Sequence, residues 1–280
     1  MRILITGASS YVGARIYSDL KDKKLDVIGT YYSNHLFPEL RKLDVRNLDK
    51  ILELVSEVKP EVIIHAAANP SASWCEKNQE QAVAINQDGT GNIVKAANSS
   101  NAKLIYISSF EINNTSTAYG KTKLGGEELV KKTKEGYVIL RPSLILGLSP
   151  NTVNDRPFNR ILKNITEKTP AIYDTSWKFQ PTYLRHISEV ISEILNRGII
   201  NEIIPVGVAD LKTRFDVARD ILADFGIKAI AEDTHSKSPV IKDDLKRLKE
   251  LKLPQYTYFC MISEIKKEIK DHLKNNNAAM

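Results

Sequence analysis

The chain has 280 residues, 42% hydrophobic and 26% charged, enough for one large α/β domain or a main domain with a small appendage. No apolar run approaches the ~18 residues that span a bilayer, so no membrane partner is expected. The formal charge is +6, with basic residues clustered at Lys21–Lys24, Lys131–Lys134 and Lys242–Lys252; acids interleave the last of these (Asp243, Asp244, Glu250) and no aromatics interleave, so the clusters read as solvated helix faces, which argues against nucleic acid and leaves room for anionic small molecules.

Arg2–Thr6 reads as a buried strand running into Gly7 rather than as a leader, and a cytoplasmic location is expected. Thr6-Gly7-Ala8-Ser9-Ser10-Tyr11-Val12-Gly13 then joins that strand to a helix, Tyr11–Lys21. Gly7 permits a sharp turn. Gly13 permits close helix packing on the sheet. The free N–H groups and dipole at the start of the helix can hold a pyrophosphate. Ser10 stands where a third glycine is expected. The next strand, Asp26–Tyr31, ends in Thr30-Tyr31-Tyr32-Ser33-Asn34, without an acid. An acid there would bind the ribose 2′-hydroxyl of NAD and repel the 2′-phosphate of NADP. Its absence favours NADP(H), with NAD(H) left open. No arginine sits there either, and Arg15 and His35 are the basic side chains considered in its place.

A short strand is expected at Leu40–Asp44, a helix at Asn47–Val58, a strand at Val62–Ala66, one helix at Gln79–Ser99, a strand at Lys103–Ser108, a helix at Tyr119–Lys132 and a strand at Tyr137–Pro142. Strand–helix alternation at this pitch means crossover connections and a parallel sheet covered on both faces, the Rossmann-type doubly wound α/β class. The regularity loosens after Pro150. Helices are expected at Phe158–Glu167, His186–Arg197, Thr213–Phe225, Lys242–Leu251 and Ile262–Lys274, with a strand at Glu202–Val206 and a disordered tail at Asn275–Met280. Residues 1–148 should form an NAD(P)-binding domain to which 178–207 return. Residues 149–177 and 208–280 should form a small α/β substrate lobe over the carboxyl ends of the strands. Cys75 and Cys260 are expected to be unpaired thiols, and no CxxC or HxxxH spacing suggests a metal.

Tyr119 and Lys123 lie four residues apart, on one helical face. A nearby ammonium stabilises tyrosinate and lowers the tyrosine pKa. A tyrosine so tuned can exchange a proton with a carbonyl or hydroxyl while hydride moves. Ser109 ends the preceding strand, where its hydroxyl can hold the same oxygen.

The segments Thr6–Gly13, Leu43-Asp44-Val45, His65-Ala66-Ala67-Ala68, Asn86-Gln87-Asp88-Gly89-Thr90, Ile107-Ser108-Ser109, Tyr119–Lys123, Leu140-Arg141-Pro142 and Gln180-Pro181-Thr182-Tyr183 follow one another in this order. With them the sequence resembles the extended short-chain dehydrogenase/reductase family over nearly its whole length, closest to the dTDP-4-dehydrorhamnose reductase branch. The resemblance implies that Gly7, Ser10, Tyr11, Val12 and Gly13 line the pyrophosphate, that Asp44 and Val45 lie near the adenine, and that Ala66, Ala67 and Ala68 lie against the cofactor, with Thr30 and Tyr31 also on the cofactor side. It makes Tyr119 the proton donor, Lys123 the binder of the nicotinamide ribose and Ser109 the group that orients the substrate carbonyl. Asn86 is either the helix asparagine that supports a proton relay or a backbone cap.

The sequence also departs from the branch. Ser109-Phe110-Glu111 replaces Thr-Asp-Tyr, and Phe110 cannot serve as an acid, which argues against dehydration. The loop between Ser109 and Tyr119 is short for the family. Leu144 stands where the branch has a tryptophan, and an aspartate expected after Pro181-Thr182-Tyr183 is replaced near His186. The function implied is NAD(P)H-dependent reduction of a 4-keto sugar nucleotide, with Ser71, Phe110, Phe158, Asn159 and Gln180 as candidate substrate contacts. Two alternatives stand beside it. One is an NAD-dependent sugar-nucleotide epimerase. The other is a cofactor-binding regulatory subunit like that of methionine adenosyltransferase, which resembles the same branch. The family often pairs through helices like Gln79–Ser99 and Tyr119–Lys132, which admits a homodimer.

Overall fold

A computed structural model describes residues 1–236 and 243–278. The first half alternates strand and helix: β1 (Arg2–Thr6), α1 (Tyr11–Asp22), β2 (Asp26–Tyr31), β3 (Arg41–Lys42), α2 (Leu48–Val58) and β4 (Val62–His65). There follow α3 (Ala72–Lys77), α4 (Gln79–Ala82), a π-helical stretch at Val83–Asp88, α5 (Gly89–Ser100), β5 (Lys103–Ile107), α6 (Ala118–Val130) and β6 (Tyr137–Pro142). The second half holds β7 (Ile145–Leu146), α7 (Pro157–Glu167), β8 (Ala171–Asp174), β9 (Lys178–Phe179), β10 (Thr182–Tyr183), α8 (Leu184–Arg197) and β11 (Glu202–Val206). It closes with β12 (Lys212–Thr213), α9 (Arg214–Leu222), β13 (Ala229–Glu232), α10 (Lys246–Glu250) and α11 (Tyr258–Ala278).

Seven strands form one parallel sheet in the order β11-β6-β5-β4-β1-β2-β3. Its central strands are apolar on both faces, as in Ile3-Leu4-Ile5 and Val62-Ile63-Ile64, because helices cover both sides. Ile16 and Leu20 of α1 pack on one face with Ile187 and Ile191 of α8; Ile51 and Val55 of α2 pack on the other with Ile93 and Ala97 of α5. The strand order reverses between β1 and β4, and ligands of such sheets bind in the crevice at the carboxyl ends beside that reversal.

The C-terminal α/β region is built from pairings between distant segments. β8 runs parallel to β13, β9 antiparallel to β12, and β7 parallel to β10. The amphipathic face of α7 buries Phe158, Ile161, Leu162 and Ile165.

Several elements differ from the sequence-based expectation. The helix expected at Gln79–Ser99 is broken by the π-helical turns, which mostly mark functional sites. Helix α3 and the β8–β13 pair were not expected. The strand expected at Leu40–Asp44 shrinks to Arg41–Lys42. Helix α11 starts at Tyr258 and continues to Ala278, so residues 275–278 are helical rather than disordered. Lys242 and residues 279–280 lie outside the described residues. Among the described residues no helix is long and apolar enough to cross a membrane.

Candidate active site

The site begins where β1 turns into α1. Gly7 has φ +73°, and a Cβ there would come within 2.7 Å of Ala67 Cα. The Gly7 N–H donates to Thr30 Oγ1 (3.3 Å) and the Ala8 N–H to the Thr30 carbonyl (2.7 Å). Ser10 caps α1, its Oγ accepting from the Gly13 N–H at 3.0 Å. A Cβ on Gly13 would overlap the Gly7 carbonyl oxygen. Thr30 and Gly13 therefore build the turn without lining its groove, a correction to their expected place. Gly7, Ser10, Tyr11 and Val12 line it.

A loop from the second half is pinned onto this turn. The Tyr11 hydroxyl donates to the Gly147 carbonyl (2.5 Å), Ser149 Oγ to the Tyr11 carbonyl (2.7 Å) and Asn151 Nδ2 to the Ser9 carbonyl (2.6 Å). The loop carries Arg156, which has no ion pair among the described residues, to a groove wall shared with Ser10.

Three cavities follow one another. The first, ≈ 690 Å³, holds Gly7, Tyr31, Asp44, Val45 and Ala67. The second, ≈ 340 Å³, holds Val12, Ala66, Ser109, Tyr119 and Lys123. They share Ser10, Ala68, Pro70 and Arg156. The third, ≈ 350 Å³, shares Leu144, Pro157 and Arg214 with the second. An arginine thus stands at each junction.

Thr117 caps α6 by accepting the Gly120 N–H at 3.0 Å, which sets Tyr119 and Lys123 one turn apart at the start of that helix. Burial pushes the Tyr119 phenol up to about 12, against the Ser109 hydroxyl and the Arg156 guanidinium, which pull it down. Lys123 is 2% exposed; its Nζ donates to the Ile107 carbonyl (2.7 Å) and lies 4.1 Å from the centroid of the Tyr106 ring. Burial pulls this ammonium down to about 7, with Glu127 opposing. The charge of Arg156 reaches the phenol, a cation that the spacing of Tyr119 and Lys123 does not reveal.

Buried polar groups fix the frame behind these residues. Fully buried Glu127 accepts from Ser108 Oγ (2.5 Å) and from Arg141 Nε (3.0 Å) and Nη2 (2.6 Å), tying α6 to the ends of β5 and β6. His65 lies between Thr6 Oγ1 (2.6 Å) and Thr90 Oγ1 (3.1 Å), and burial pulls its imidazole down to about 3. Asn86 accepts the Asn69 N–H (2.8 Å) and donates to the Asn69 carbonyl (3.0 Å) and Thr122 Oγ1 (3.3 Å). Its side chain clasps the loop after β4 to α6, and it lines neither groove cavity.

The candidate substrate contacts separate. Phe110 lines the second cavity. Ser71 caps α3 and lines the first, on the cofactor side. Phe158 is fully buried in the core, Asn159 donates to the Asn151 and Asn154 carbonyls, and Gln180 accepts the Asp243 N–H. These last three hold loops and packing together and do not reach the groove. Arg15 is taken up by Asp19 and Glu268, and His35 stacks on Tyr31 at 4.3 Å.

Sequence reasoning missed four side chains that line these cavities. Arg46, paired with Asp44, lies over the Tyr32 ring in the first cavity. Glu111 lines the second, its Oε2 without a partner and its carboxyl raised by burial. Arg156 and Arg214 stand at the junctions. The DVR sequence at Asp44–Arg46 was a usable signal for Arg46. Arg156 and Arg214 depend on long-range approach, whereas Glu111 lies two positions after Ser109 and was open to the same reading.

The RmlD substrate binding domain model matches residues 1–257. Methionine adenosyltransferase 2 subunit beta of Xenopus laevis is 30% identical over 215 residues, 71% of this chain and 63% of that protein. The structure of a dTDP-4-dehydrorhamnose reductase from Bacillus anthracis in complex with NADP superimposes with a TM-score of 0.81 at 20% identity, covering 96% of this chain and 98% of that one. A UDP-glucose 4-epimerase from Thermotoga maritima, solved with UDP-glucose, gives 0.80 at 16% identity, covering 98% and 100%.

Proposed function

The chain belongs to the RmlD substrate binding domain family, and from that premise we propose that it is an NAD(P)-dependent oxidoreductase of the short-chain dehydrogenase type that reduces the 4-keto group of a nucleotide-linked sugar with Tyr119 as proton donor. One observation carries this reading. Two adjoining cavities that share Ser10, Ala68, Pro70 and Arg156 lead from the end of β2, past the glycine turn, to the cavity lined by Tyr119.

The residues present suit a dinucleotide. Gly7 lets the turn close tightly on the loop after β4, where a Cβ would meet the Ala67 backbone. Ser10, the α1 N-terminus and Arg156 favour a pyrophosphate where the two cavities join. The end of β2 carries no acid, Asn34 Nδ2 there has no partner, and Arg46 is beside it; these donors suit a 2′-phosphate and support NADP over NAD. Lys123 keeps two of its three N–H donors for ribose hydroxyls after the bond to Ile107. Reduced nicotinamide bound at this end of the groove supplies hydride. The Ser109 and Tyr119 hydroxyls hold the substrate oxygen, and Tyr119 passes its proton to that oxygen. Lys123 and Arg156, two cations that line this cavity, favour the resulting phenolate, which lowers the cost of the transfer in a buried site.

The test is a panel of 4-keto sugar nucleotides with NADPH, followed by absorbance, on the native protein and Tyr119→Phe. NADPH binding should be kept in the variant. Turnover should fall by about two to four orders of magnitude, the scale of general-acid catalysis. Equal turnover in both proteins would remove Tyr119 from the mechanism. The similarity to a methionine adenosyltransferase subunit favours a second reading, a cofactor-binding partner protein, and predicts a stoichiometric complex with no turnover on any sugar nucleotide.

A further inference from the structure

Helix α11 makes a contact with α1 that the reaction as described does not use. It buries Met261, Ile262, Ile265 and Ile269 in the core, and Glu268 falls on the same inward stripe. A carboxylate there is costly unless it is paired. Its partner is Arg15 of α1, whose Nη2 donates to Glu268 Oε1 at 2.8 Å; the two side chains are 12% and 13% exposed. The same pair takes up one peptide of the loop after β7. Arg15 Nη1 donates to the Leu148 carbonyl (2.8 Å), and the Leu148 N–H donates to Glu268 Oε2 (3.4 Å). Leu148 is thus gripped through both of its backbone polar groups.

The rest of that loop is tied to the glycine turn. Gly147, at φ +133°, offers its carbonyl to the Tyr11 hydroxyl, and Ser149 and Asn151 donate to the Tyr11 and Ser9 carbonyls. Tyr11 and Arg15 are one helical turn apart, so both meet the loop from one face of α1. Farther on, Asn159 of α7 donates to the Asn151 and Asn154 carbonyls. The loop ends in Arg156. Its neighbour Asp155 is taken by Arg160 through two bonds of 2.6 Å, and Arg156 stands without an ion pair among the described residues where the first two cavities join. The charges of Arg156, Glu268 and Arg15 all reach the Tyr11 hydroxyl, around which clamp and loop meet.

We propose that Glu268 and Arg15 are positioning residues for the cofactor: by clamping Leu148 they hold the 147–156 loop on the glycine turn and set Arg156 against the bound pyrophosphate. This rests on the dinucleotide reading of the groove and adds to it a dependence on the C-terminal helix. Neither Glu268 nor Arg15 lines either groove cavity, so their effect on the cofactor passes through the loop. Arg15 keeps Asp19 as a partner at 2.8 and 2.9 Å when Glu268 is removed, so loss of the clamp strands no buried charge.

The experiment is a double-mutant cycle on the full chain, read by fluorescence titration with NADPH, using the native protein, Glu268→Ala, Arg156→Met and the two together. Arg156→Met alone should weaken NADPH about tenfold, the scale of one hydrogen bond to a charged group. Glu268→Ala alone should weaken it several-fold. With Glu268 already replaced, Arg156→Met should cost less than about threefold, because the guanidinium is no longer held in place. Glu268→Gln keeps an acceptor for Arg15 and should recover part of the loss; it takes the place of the alanine variant in the cycle if that variant does not fold. Ile265→Val trims the same helix without touching the clamp. It should lower the melting temperature and leave NADPH affinity and the Arg156 penalty at their native values. An Arg156 penalty that is absent, or equally large with and without Glu268, overturns the proposal. So does an Arg156 penalty that shrinks as much in Ile265→Val. A native protein that binds no NADPH overturns the dinucleotide reading itself.

Discussion

The glycine turn and the Trp177–Arg214 wall flank the same groove and are built in opposite ways. At the turn, polar groups answer one another: the Gly7 N–H meets Thr30, Ser10 caps Gly13, and the Tyr11 hydroxyl meets Gly147. At the wall, two buried donors, Arg214 Nε and Trp177 Nε1, have no partner among the described residues. Substitutions in the first region should therefore cost stability or cofactor affinity, and substitutions at the wall should cost little stability.

The hardest strain on that contrast comes from Glu127. It is fully buried and bonded to Ser108 and Arg141, so Glu127→Ala leaves Arg141 with no carboxylate across the gap between α6 and β6. Loss of one partner of such a pair costs about 3–5 kcal/mol. Denaturant unfolding should show it, and a loss under 1 kcal/mol would mean the frame is not held as described. Gly7→Val comes next. It places a β-branched residue at positive φ, which costs about 1–3 kcal/mol in strain, and a Cβ against Ala67. NADPH affinity should fall by roughly a hundredfold, about 2.7 kcal/mol, as read by fluorescence titration. Unchanged affinity would break the link between the turn and the cofactor.

A further effect, absent at neutral pH and growing as pH falls, comes from His65. An unfolded histidine takes its proton near 6.5, whereas His65 in the fold stays neutral down to about 3. Between these values the unfolded chain binds the extra proton, so stability falls as pH drops through that window. In His65→Gln, which keeps a hydrogen-bonding group between Thr6 and Thr90, the fall should be shallower. An identical slope would show that the imidazole is not the group excluded from protonation.

What could be read from the sequence follows the same division. The turn is local: Gly7, Ser10 and Gly13 lie within seven positions of one another, directly after a strand, so their spacing alone points to their chemistry. Tyr119 and Lys123 are likewise one helical turn apart, though nothing local shows that the lysine would turn to Ile107. The wall is not local. Trp177 and Arg214 meet because β9 pairs with β12 and β8 with β13, and no short-range pattern encodes that approach. Phe158 was readable and misread: Phe158, Ile161, Leu162 and Ile165 recur at the i, i+3, i+4, i+7 spacing of a buried helix face, which marks a core residue. The π-helical stretch at Val83–Asp88 escaped because it gives no periodic signal distinct from an α-helix.

The central claim is that hydride leaves a bound nicotinamide for a substrate carbon beside Tyr119. NADPH deuterated at the transferring position, incubated with the protein and a 4-keto sugar nucleotide, tests it by mass and NMR analysis of the product. The account predicts one deuterium on the former carbonyl carbon, one NADPH consumed per product, and neither in Tyr119→Phe. Product without deuterium, or NADPH bound and never consumed, would contradict it.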